Sequence, residues 1–145
     1  MEAPKTTENM SQQENIERIA NLNFDAWNSA LQTKDPEAVA GLYSTDTAFL
    51  PTVSGKFIRD REGTTEYFEK FLRKNPVGEI IEAKVQLLAP NVYSHVGKYN
   101  FTVGPDDNRH VVEARFIFTW VQNSEGKWEI VNHHSSFTPK EPQPS

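Results

Sequence analysis

The sequence holds 145 residues, 37% hydrophobic and 24% charged, at a net charge of −5, which fits one domain with one sizeable core and excludes a disordered chain or a membrane protein. Its Lys and Arg residues are scattered without a block, so neither nucleic acid nor a membrane is an expected partner. Cysteine is absent, and with it disulfides, thiolate metal sites and a thiol nucleophile.

Met1 to Gln12 is a polar leader unlike a secretory signal or a transit peptide, which makes a cytoplasmic location the default expectation. The domain is expected over residues 13–138, followed by a Pro-rich tail over 139–145. Ile16, Ile19, Ala20, Phe24, Trp27 and Leu31 recur at helical spacing and predict a long amphipathic helix, roughly Ser11 to Thr33. Asp35-Pro36-Glu37 reads as a second helix start, with Val39, Leu42 and Tyr43 on its inner side. A short strand is expected over Asp46 to Pro51, and a third helix carries Thr64, Tyr67, Phe68, Phe71 and Leu72 after a turn at Gly63. From Glu79 onward the period changes to two. Strands are expected over Ile80–Leu88, Val92–Val103, Arg109–Gln122 and Lys127–Phe137, joined by segments with hairpin turn chemistry. Helices first and strands after predict an α+β fold, with the helices packed in a strongly curved antiparallel sheet.

The strand around Val111–Val121 has large apolar groups on both faces: Val112, Phe116, Phe118 and Trp120 on one, Val111, Ile117 and Val121 on the other. Helices cover one side only, so a second copy of the chain is expected to cover Phe116, Phe118 and Trp120. The competing expectation is a bent sheet whose two faces are both wrapped by its own chain.

Glu113 and Arg115 share the odd-numbered face, Lys98 lies on the preceding strand, and the last strand adds His134 and Ser136 on the parity of Trp128 and Ile130. Together they predict a polar pocket inside the concave sheet that would take a small carboxylate, with a structural ion-pair network as the alternative. His133 and His134 face opposite sides of a strand and cannot share a metal ion, and His95 and His110 are isolated; no metal and no cofactor is expected. A Gly-rich phosphate loop and a nucleophile elbow are both missing. The aromatic set Trp27, Tyr43, Phe49, Tyr67, Phe68 and Phe71 reads as core.

Three segments carry a resemblance: Phe24 to Leu31 followed by Asp35-Pro36, Tyr67 to Pro76, and Gly126 to Ser136. Together they resemble the association, or hub, domain of calcium/calmodulin-dependent protein kinase type II and its stand-alone relatives in the nuclear transport factor 2-like and SnoaL-like superfamily. The resemblance implies a conical fold, dimers arranged in a ring, and a cavity whose arginines bind carboxylates. It places Arg115 and Lys98 at two of the cationic positions; Thr65 stands near a third, which Arg59 or Arg61 could replace. No kinase signature or calmodulin-binding basic helix occurs in these 145 residues, so a separated hub or a stand-alone homologue is expected. Self-association is therefore the leading expectation. The alternative is an isomerase, dehydratase or cyclase with Glu113 or His134 as base, or less plausibly Tyr99 or Tyr67.

Overall fold

The computed structural model describes residues 10–141; expectations for the remaining leader and tail residues lie outside them. Helix α1, Gln12–Gln32, opens with a capping box in which Ser11 Oγ accepts from the Glu14 backbone N–H at 3.0 Å and the Glu14 carboxylate accepts from the Ser11 N–H at 3.4 Å. Its stripe Ile16, Ala20, Phe24, Trp27 and Leu31 is buried, as the spacing predicts. Helix α2, Pro36–Ala40, is capped by Asp35 and ends at Gly41. Leu42 and Tyr43 thus lie beyond this helix, and Tyr43 opens strand β1, Tyr43–Leu50, which is longer than the pattern suggests. Helix α3, Arg61–Phe71, starts earlier than expected because Asp60 caps it by accepting from the Gly63 N–H at 2.7 Å, which puts Gly63 inside the first turn.

Strands β2 (Val77–Ala89), β3 (Val92–Val103), β4 (His110–Gln122) and β5 (Trp128–Phe137) complete one sheet in the order β1-β5-β4-β3-β2. The four later strands form the antiparallel meander their hairpin turns dictate. The expectation of a wholly antiparallel sheet needs one correction: β1 pairs parallel with β5. No hairpin joins that pair, so nothing local fixes its direction.

Bulges lie in β2 between Ile80 and Glu82, and in β5 where Asn132 pairs with Thr119 but Ile130 pairs with Trp120; such irregularities bend a strand and increase its twist. Gly97 of β3 faces the first bulge, where a Cβ would stand 2.2 Å from the Glu82 carbonyl oxygen. Only glycine lets the two backbones approach this closely.

Helix α1 lies against the inner face of this sheet. Phe24 stacks on Phe116 at 6.5 Å and Trp27 meets Phe118 edge-on at 5.3 Å. Phe116, Phe118 and Trp120 are only 2, 1 and 1% exposed within the single chain. They are core residues, which overturns the expectation that a second copy covers them; α1 and the curvature of the sheet already do so. The open face of β4 is the other one, with Val111, Arg115 and Ile117 exposed.

Candidate functional site

A cavity of about 140 Å³ lies under α1 and α3 against the inner face of the sheet. Trp27, Phe49, Tyr67, Phe71, Tyr99 and Phe101 supply its aromatic wall, together with Phe68 and Phe137. Thr52, His133 and Ser135 supply its polar lining, and Lys74 and His110, both exposed, mark its rim.

The polar groups form one continuous chain. Trp27 Nε1 donates to Tyr43 Oη at 3.1 Å, and Tyr43 Oη lies 2.8 Å from His133 Nδ1. His133 Nε2 lies 3.2 Å from Tyr99 Oη, which donates to Ser135 Oγ at 2.6 Å, and Ser135 Oγ bonds to Thr52 Oγ1. Because Tyr99 gives its proton to Ser135, it accepts from a protonated Nε2, which leaves Nδ1 free to accept from Tyr43. A neutral imidazole satisfies every link. Its ring is sandwiched between Phe118 at 4.0 Å and Phe49 at 4.7 Å. Burial, with His134 adding to it, lowers the His133 pKa to about 3. Burial also pushes the Tyr43, Tyr67 and Tyr99 hydroxyls well above their ordinary value, which leaves these tyrosines protonated and poorly suited to act as bases.

The residues expected to form a carboxylate pocket are brought together, but on the opposite side of the sheet. Lys98, Arg115 and Ser136 are register neighbours across β3, β4 and β5, and His134 sits beside Ile117. All four border one shallow depression on the outer face. Glu113 is exposed one step along, opposite Asn100. None of these five lines the cavity. The correction has a local cause: the bulge at Val131 flips the parity of β5, so Ile130, His133 and Ser135 point inward while His134 and Ser136 point outward. Lys98 is instead engaged with Glu82 at 3.3 Å. Arg61 donates to the Tyr43 carbonyl at 3.1 and 2.8 Å and pairs with Glu129, while Arg59 covers the Phe57 ring; neither supplies a cavity cation.

Ser135 and Thr52 escaped notice in the sequence, and His133 figured only in the tandem pair. For His133 and Ser135 the signal would have been strand parity, which a single bulge erases; Thr52 lies in a turn beyond β1 and has no such signal. Among the described residues no group of three or more His, Asp or Glu is placed to hold a metal ion, and no helix is long and apolar enough to cross a membrane.

Comparison with known proteins agrees with this architecture. A protein described as a calcium/calmodulin-dependent protein kinase II association domain from Xanthomonas campestris is 37% identical, with a TM-score of 0.83 over 97% of each chain. A nuclear transport factor 2-like superfamily protein from Salmonella enterica is 16% identical, with a TM-score of 0.74 over 89% of this chain and 95% of its own. A protein described as a scytalone dehydratase from Novosphingobium aromaticivorans is 12% identical, with a TM-score of 0.75 over 90% and 89%. At these two identities the likeness shows the fold alone. No curated protein matches the sequence. The model of the calcium/calmodulin dependent protein kinase II association domain matches residues 15–139, and with that match spanning nearly the whole described fold the chain belongs to the association-domain family.

Proposed function

We propose that this chain is a self-association module that dimerises through the outer face of its sheet, and that the dimers close into a ring. The observation that carries the reading is a row crossing all five strands on the outer face: Leu50, His134, Ile117, Val96 and Lys84, in register. Leu50 and Ile117 are 44 and 43% exposed, and no described helix covers them. Exposed apolar side chains aligned across neighbouring strands and rimmed by polar groups suit an association surface. Beside it run Arg115, Lys98 and Glu82, then Glu113. A two-fold axis lying in the plane of this face would bring cations of one copy against glutamates of the other, as a self-complementary patch requires. On this reading the carboxylates that Arg115 and Lys98 meet are protein side chains, and the small-carboxylate ligand is unnecessary. Membership of the association-domain family supports the same conclusion.

An enzymatic role draws less support from the geometry. Among the described residues lining the cavity none is a carboxylate, and both nitrogens of His133 are committed to hydrogen bonds. Sedimentation at micromolar concentration tests the proposal. The expected result is a mass that is an even multiple of the 16.5 kDa chain, reduced to a single folded chain by Ile117→Asp. A wild-type protein that sediments as one chain would sink it.

A further inference from the structure

We propose that the inner cavity binds one small uncharged aromatic molecule bearing a hydroxyl group, a monocyclic phenol, in preference to a carboxylate. Size sets the first limit. About 140 Å³ is close to the engineered apolar cavity of about 150 Å³ that takes up benzene, so one ring fits and a fused system does not. The wall sets the second, because Trp27, Phe49, Tyr67, Phe71 and Phe101 present both faces and edges to the space, which suits an aromatic guest.

The polar end sets the third. With the Trp27 N–H at its head, the hydrogen-bond chain uses the protons of Tyr43, His133 and Tyr99 internally. Whichever of Ser135 and Thr52 donates to the other, one hydroxyl proton of that pair is left over, together with unused acceptor capacity on Thr52 Oγ1. A phenol hydroxyl offers one donor and one acceptor and matches that ending. A carboxylate offers acceptors only, meets a single proton, and must shed its hydration among aromatic rings. Lys74 and His110 also border the cavity, but both sit at its exposed rim, and His110 lies six residues along β4 from Phe116, the register partner of Ser135. The inference stands apart from the association reading, since it concerns the opposite face of the sheet.

The test titrates the intact protein, at whatever mass it assembles, with phenol, benzene and benzoate while following the Trp27 indole resonance. The expected result is one phenol per chain, bound roughly tenfold tighter than benzene and at least roughly tenfold tighter than benzoate. Combining Ser135→Ala with Thr52→Val, which removes both hydroxyls of that pair, should lower the preference for phenol over benzene. Val112→Phe, which places a ring in the cavity from its lining, should abolish binding of all three without lowering the thermal unfolding temperature. No binding of phenol, benzoate as the tightest ligand, phenol equal to benzene, or phenol binding that survives Val112→Phe would each overturn the proposal. Should the double variant fail to fold, the phenol-to-benzene ratio in the unaltered protein decides the matter.

Discussion

The two faces of strand β4 present a controlled comparison, since they share a backbone and differ only in parity. Inward, Phe116, Phe118 and Trp120 pack under α1 and are almost fully buried. Outward, Arg115 and Ile117 stand in a row that no described element covers. Apolar groups on both faces of a strand therefore do not say which face the chain's own helices cover. The larger, more aromatic face went to the intramolecular core, because three large rings removed from water contribute most to holding a single chain folded.

That comparison can be broken most sharply from inside. Phe118→Ala removes a ring in contact with Trp27 and His133, and the loss should be about 3–5 kcal/mol in urea unfolding. A loss below about 1 kcal/mol would mean the inner face is not the core.

Acid offers a second test of the same face. Burial holds His95 near pKa 4 and His133 near 3, whereas the unfolded chain titrates near the ordinary value of about 6.5. The folded chain binds fewer protons within that window, so stability is fully present above about pH 6.5 and falls as pH drops, by up to about 1.4 kcal/mol per pH unit per histidine. His95→Phe, at a ring whose buried Nδ1 has no hydrogen-bond partner, should reduce the slope of urea midpoint against pH between 6 and 4.5 by roughly half.

Gly97→Ala comes next. It sets a methyl against the Glu82 carbonyl and Ala83 and should cost about 1–3 kcal/mol; if it proves neutral, the close approach of β2 and β3 is not what bends the sheet. The smallest effect belongs to the outer face. Arg115→Ala should change the stability of the isolated chain by less than about 0.5 kcal/mol, while weakening self-association measured by sedimentation at low salt.

Much of the fold was legible because it is written in local chemistry. The Ser11 and Asp35 caps, the helical stripe from Ile16 to Leu31, and the turns around Pro105 and Gly126 each act within a few residues. The parallel pairing of β1 with β5 was hidden because it joins distant parts of the chain with no hairpin between them. The site was hidden for a finer reason. One extra residue at Val131 reverses inside and outside for the rest of β5, which sends His134 and Ser136 to the surface and brings His133 and Ser135 into the cavity. The clustering of Lys98, Arg115, His134 and Ser136 was foreseen; the side on which they cluster was not.

The stripe along α1 also has a consequence for biosynthesis. Ile16, Phe24 and Trp27 leave the ribosome well before the rings that receive them, Phe116 and Phe118, because α1 precedes β4 in the chain with three strands and two α-helices between them. Until β4 is made the nascent chain carries a greasy helix with no seat, a species prone to clumping unless a chaperone shields it or elongation through β4 is quick.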